Sequence, residues 1–99
     1  LPSRSLTTET IQRAIAKKFG LKITDLKGGK RTRRVVQPRM IAMYLVRKHT
    51  EHSYPEIGQA FGGRDHSTAI NAYKKISWQL RHDVALQSKV QAIELTLGK

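Results

Sequence analysis

The stretch Ser53-Tyr54-Pro55-Glu56-Ile57-Gly58-Gln59-Ala60-Phe61-Gly62-Gly63-Arg64-Asp65-His66-Ser67-Thr68 decides the fold. Ser53-x-x-Glu56 has the form of a capping box, and Pro55 suits the first turn of a helix. Ile57 and Phe61 stand four residues apart, so they share a buried face. Gly62-Gly63 ends that short helix, and a second helix follows from about His66. Two helices joined by a tight glycine turn predict a helix-turn-helix. In that motif the first residues of the second helix reach base edges in the major groove of duplex DNA. Here those residues are Asp65, His66, Ser67 and Thr68.

Working outward, helical periodicity continues and no sustained two-residue alternation appears, so the expected class is all-α with about six helices and a basic loop. Helix one is expected from about Thr8 to Phe19, capped by Thr7 and closed by Gly20, with Ile11, Ala14, Ile15 and Phe19 inward. A short helix from Thr24 to Lys27 follows, capped by Thr24. Gly28-Gly29-Lys30-Arg31-Thr32-Arg33-Arg34 reads as a basic loop, with no acid between Asp25 and Glu51. Helix three is expected from Val35 to His49, which places Pro38 in its first turn. Its periodicity puts Pro38, Ile41, Ala42 and Leu45 toward the core. Arg39, Met40, Met43 and Arg47 then face solvent, where the two arginines can follow a phosphate backbone. Helix five, His66 to Arg81, carries Ala69, Tyr73, Ile76 and Leu80 as its core stripe. Trp78 lies on the opposite side, with Ser67, Asn71 and Lys74, where it can pack under the last helix, Val84 to Leu97, or touch the DNA backbone; packing is the favoured expectation because large aromatics are mostly buried. That last helix offers Val90, Ile93 and Leu97 to the core.

Composition limits the function. The 99 residues form a single small domain, covering residues 1–99, whose working surface is expected outside rather than in a deep pocket. Lys and Arg number 19 against 7 Asp and Glu, a formal net charge of +12. A polyanion is the natural partner: nucleic acid or an acidic membrane surface. The chain has no cysteine, which excludes disulfides and cysteine-based zinc sites and fits a reducing compartment. No apolar run approaches a membrane span.

Candidate chemistry at the second helix is recognition rather than catalysis. A carboxylate at Asp65 accepts from a cytosine amino group, the His66 imidazole donates or accepts, and hydroxyls at Ser67 and Thr68 serve base edges or phosphates. Free amides at the helix start also suit a phosphate oxygen. Asp65 or Ser67 alone reads equally well as an ordinary N-cap. Asp65-His66-Ser67 holds the residue types of a hydrolase triad, but consecutive helical residues diverge by about 100° and cannot form the relay. Gly28-Gly29-Lys30 lacks the spacing of a phosphate-binding Walker loop. His49-x-x-His52 lacks the partners of a metal site and reads as a helix end favoured by the dipole.

The run Gly62-Gly63-Arg64-Asp65-His66-Ser67-Thr68, after Ser53-Tyr54-Pro55-Glu56-Ile57-Gly58 and Gln37-Pro38-Arg39-Met40-Ile41-Ala42-Met43-Tyr44-Leu45, resembles the C-terminal DNA-binding domain of the bacterial chromosomal replication initiator DnaA. The resemblance covers about Leu6 to Leu97. It implies recognition of double-stranded DnaA boxes at a replication origin, in a cytoplasmic, nucleoid-associated setting, by a C-terminal piece of a larger initiator. By that resemblance Asp65, His66 and Ser67 read the major groove, and Tyr54 and Pro55 lie near thymine methyls. Arg31 enters the adjacent minor groove, and Thr68 holds phosphate. Lys30, Arg33, Arg39, Arg47 and Arg64 complete the expected phosphate contacts. No metal or cofactor is expected, ATP belonging to a separate ATPase domain of the full-length family. Met40 stands where a glutamine is common, Ser67 where threonine is frequent, and Ala69 where valine is common. Regulatory proteins competing for the helix-turn-helix face form a second class of partner. Single-stranded RNA is disfavoured because the basic loop has no aromatic for base stacking. The isolated domain is expected to be a monomer.

Overall fold

The computed structural model describes residues 6–29 and 32–98, all of whose regular structure is helical. Six helices run in the order α1 (Thr8–Phe19), α2 (Ile23–Lys27), α3 (Arg33–His49), α4 (Tyr54–Ala60), α5 (His66–His82) and α6 (Val84–Thr96). The expected class and number of elements hold for these residues, and the differences lie at ends and faces. The α1 boundaries match, with the Thr10 amide donating to Thr7 and Gly20 closing the helix at φ +66°. For α2 the cap is different. Thr24 lies inside the helix, and the Asp25 carboxylate accepts from the Lys22 amide at 3.0 Å. The start of α3 lies two residues earlier than the sequence implies, because the Val35 and Val36 amides both find the Thr32 carbonyl at 2.9 Å. Pro38 therefore sits beyond the first turn.

The two-faced reading of α3 fails for a physical reason. This helix is the central strut, packing against α1, α2, α4 and α5. Ile41, Ala42, Met43, Tyr44, Leu45 and Val46 are all buried, so Met43 points inward rather than to solvent. A helix surrounded on most sides is apolar around most of its circumference. Around it gather Ile11 and Ile15 of α1, Leu26 of α2, Ile57 of α4 and the adjoining Phe61, Ala69 and Ile76 of α5, and Val90 and Ile93 of α6. Gln12 is a buried polar residue of α1, and its amide donates to the Ala60 carbonyl at 3.0 Å.

Trp78 is the second correction. It is 55% exposed, stacked on the His82 ring with centroids 4.3 Å apart. The helix expected to cover it lies elsewhere. Gln87 of α6 donates to the Leu80 carbonyl at 2.6 Å, which sets α6 on the Leu80 side of α5, away from the indole. The far end of α6 is tied to α3 through Glu94, whose carboxylate accepts from Lys48 at 2.8 Å and meets His49 Nε2 at 2.7 Å. Burial pushes the Glu94 carboxyl upward, but these two hydrogen bonds and the attendant charges outweigh it and hold the group ionised below its ordinary range.

The helix-turn-helix is closed by glycines whose side-chain space belongs to other backbone. Gly58, inside α4, lies so close to the turn that a Cβ would stand 2.2 Å from the Arg64 carbonyl oxygen. The Gly58 carbonyl in turn accepts from the Arg64 amide at 2.9 Å. Gly62 has φ +91°, and a Cβ there would meet the Lys27 carbonyl oxygen at 2.0 Å. The turn is thus packed onto both α4 and the end of α2. Gly58→Ala is expected to destabilise the domain by about 2 kcal/mol or more, since backbone rather than a flexible side chain must give way. Urea unfolding of the two proteins checks this, and an unchanged midpoint refutes the close approach.

Candidate nucleic-acid interface

The start of α5 is built as a cap before it is anything else. Asp65 occupies the N-cap in extended backbone, and its carboxylate accepts from the Ser67 amide at 3.0 Å. The Ser67 hydroxyl donates to the same oxygen. These bonds, first the hydroxyl and then the amide, lower the Asp65 pKa below its ordinary value. The Thr68 amide donates to the Asp65 carbonyl at 3.0 Å. Two amides that the sequence reading left open for a phosphate are therefore already occupied. The other carboxylate oxygen, Oδ1, lies 3.7 Å from His66 Nδ1. The Ser67 hydroxyl addresses Asp65 directly, without the imidazole between them, which is recognition geometry and not a proton relay.

Asp65, His66, Ser67 and Thr68 are all exposed, so the four side chains expected to meet DNA share one open end of α5. Asn71, also exposed and one turn beyond Ser67, belongs with them. The i, i+4 spacing from Ser67 is the signal that could have found it. Tyr54 and Pro55 open α4 nearby in the chain. Pro55 is exposed, whereas Tyr54 is half-buried, edge-on to Tyr73 with centroids 6.4 Å apart. Tyr73 stacks on Tyr44 at 5.1 Å. The Arg47 guanidinium lies over the Tyr54 ring, 4.4 Å from its centroid, and donates to the His52 carbonyl at 3.0 Å. Arg47 remains exposed, on a platform that limits its rotamers.

Arg39 is a correction. The sequence puts it on a solvent face, but it is only 5% exposed. Its Nε donates to the Leu26 carbonyl at 3.0 Å, and Nη2 donates to the carbonyls of Asp25 at 3.0 Å and Gly28 at 3.2 Å. These are the unsatisfied carbonyls at the end of α2, which a guanidinium fork matches better than any other side chain. Arg64 is half-buried and donates to the Phe61 carbonyl and, across the chain, to the same Gly28 carbonyl. Burial, and then the neighbouring Arg64 charge, press the Arg39 pKa below its usual value. Two arginines thus grip the foot of the basic loop. Beside them a cleft of about 430 Å³ is lined by Lys27, Gly28, Gly29, Gly62, Arg64 and Thr68 as well as Arg39. Sequence reasoning missed this joint because it links residues 36 positions apart.

Arg33 is exposed on the first turn of α3. Lys30 and Arg31, expected to contact phosphate and minor groove, lie outside the described residues. Among the described residues no cluster of three or more acidic, histidine or cysteine side chains is placed to hold a metal, and no helix is long and apolar enough to cross a membrane.

A family model described as the bacterial dnaA protein helix-turn-helix matches residues 8–76, from the start of α1 to the second turn from the end of α5. The chain belongs to the DnaA family. It is the DNA-binding helix-turn-helix domain of that replication initiator, domain IV, and DNA is its partner. Within this DnaA domain the matched residues include α4, the glycine turn and the exposed start of α5.

The joint at Gly28 generates a test. Arg39→Ala in this DnaA domain removes three donated bonds from buried and part-buried carbonyls and is expected to cost about 2–4 kcal/mol of stability. Arg39→Lys recovers little of it, because an ammonium cannot reproduce the fork. A urea series on both variants reads this out, and a surface phosphate ligand would instead leave stability within about 0.5 kcal/mol.

Proposed function

We propose that this domain recognises DnaA boxes in duplex DNA at a replication origin, with α5 in the major groove and the basic loop in the adjacent minor groove. The observation that carries the reading is the grip of Arg39 and Arg64 on Gly28. It fixes the foot of the basic loop against the turn that launches α5. A loop and a reading helix anchored at one point can enter neighbouring grooves of the same duplex as a rigid pair.

In this reading Asp65, His66 and Ser67 address base edges, and Asn71 joins them, since an asparagine amide matches adenine bidentately. Tyr54 and Pro55 supply apolar contact near thymine methyls, and Arg31 enters the minor groove. Lys30, Arg33, Arg47, Arg64 and Thr68 hold phosphates. Arg39 leaves that group and acts by positioning the loop. The module is non-enzymatic, works without a cofactor in the bacterial cytoplasm, and leaves ATP to an ATPase domain of the full-length initiator.

His66→Ala is expected to cost about 1–3 kcal/mol of discrimination between box and scrambled duplexes. A fluorescence anisotropy titration against both duplexes measures it, and an equal loss on the two sinks the assignment. For the wild type, engagement of about six phosphates gives a log–log salt slope near −5. Arg47→Ala is expected to weaken both duplexes alike and to flatten that slope by roughly one.

A further inference from the structure

The sequence argument against single-stranded RNA rests on the lack of an aromatic in the basic loop. The fold exposes one elsewhere. Trp78 is the chain's single tryptophan and is 55% exposed near the end of α5. His82, one turn on, stacks on it with ring centroids 4.3 Å apart and planes 29° from parallel. The His82 Nδ1–H donates to the Trp78 carbonyl at 2.8 Å, which pins the imidazole behind the indole. One face of the indole is thereby backed, and the exposure belongs to its other face and edge.

The surroundings favour a polyanion over an apolar partner. From Lys74 to His82 the charged residues are Lys74, Lys75 and Arg81, with no acid among them. Trp78 and Gln79 each stand three or four residues from both Lys75 and His82, so the four form one patch. Lys75 and Gln79 also line a cleft of about 510 Å³ against α3, where Arg33 and Gln37 face them and Asp83 closes the end. Gln37 donates to Gln79 across it at 3.2 Å. A backed aromatic face, flanking cations and an adjoining polar groove are the parts of a single-strand stacking site.

We infer that the C-terminal half of α5 binds single-stranded DNA, with an unpaired base stacked on Trp78 and its phosphates near Lys74, Lys75 and Arg81. In intact duplex the base faces are covered by their neighbours, so the indole face discriminates separated strands from paired ones. The site lies about 16 Å along the helix axis from Ser67, beyond the end expected to read duplex. It stands independently of which duplex sequence that end prefers.

The single tryptophan makes the test direct. Titrating the domain with oligo(dT), oligo(rU) and a scrambled duplex at physiological salt, while following tryptophan emission, is expected to show strong quenching by oligo(dT) and little by duplex. In anisotropy with labelled oligo(dT), Trp78→Ala is expected to lose about ten-fold or more in affinity while Trp78→Phe keeps most of it. Box-duplex affinity of both variants is expected to stay within about two-fold, and the exposed position leaves the fold intact by circular dichroism. Equal quenching by duplex overturns the proposal in favour of a duplex contact. A ten-fold preference for oligo(rU) overturns the assignment to DNA. Unchanged oligo(dT) affinity in Trp78→Ala overturns it outright and leaves the indole to a protein partner.

Discussion

The carbonyl of Gly28 accepts from two guanidinium groups, Arg39 of α3 and Arg64 of the helix-turn-helix turn, and the functional surface depends on that convergence. A five-residue helix such as α2 cannot be stable alone, and its last carbonyls have no partners of their own. Arg39 satisfies three carbonyls around that end from inside the core. Two like charges at one point are normally unfavourable, and burial first, then the Arg64 charge, depresses the Arg39 pKa. Oriented backbone dipoles make the arrangement tolerable. The result is that the basic loop leaves from a fixed point, beside the glycine turn that fixes α5.

The close approach of backbones at Gly58 and Gly62 serves the same end. Each glycine lets a carbonyl occupy the place of a side chain, Arg64 at Gly58 and Lys27 at Gly62. The turn is clamped from α4 on one side and α2 on the other. A reading helix needs such rigidity, since base contacts are lost when side chains sit about 1 Å from their proper place. The stack of Arg47, Tyr54, Tyr73 and Tyr44 braces the outer side of α4 in a similar way.

What could be read in the sequence was what depends on near neighbours. The capping box at Ser53 and Glu56, the cap at Thr7 and the close at Gly20 are each settled within a few residues, and all three stand. The buried stripe of α5 also holds at Ala69 and Ile76, with Tyr73 and Leu80 half-buried. The faces of α3 were misread because periodicity assumes one core side, whereas this helix has neighbours almost all round. Arg39 then looked like a surface cation, though its partners are carbonyls that carry no sign in a sequence. Trp78 was misplaced for a related reason: the pattern says which face of α5 is opposite the core, but not on which side α6 returns. At the candidate interface the residue types at the start of α5 were legible. The hydrogen bonds among them were not, because a cap and a base reader call for the same side chains.

The capping role of Asp65 limits what it can offer to DNA in the proposed reading. One carboxylate oxygen is bound to the Ser67 amide and hydroxyl, so only the other is open toward a base. The Ser67 hydroxyl donates its hydrogen bond to Asp65 and offers lone pairs outward, which suits an amino group on adenine or cytosine and not a carbonyl. A threonine at this position would add a methyl for thymine, and serine forgoes it. Both Asp65 and Ser67 are therefore acceptors in the free domain. His66 is the one side chain of the three that can donate, and Asn71 a turn further on can both donate and accept. Under the proposed reading, donation to guanine or thymine oxygens in the major groove would fall on His66 and Asn71, and acceptance from amino groups on the two capping residues.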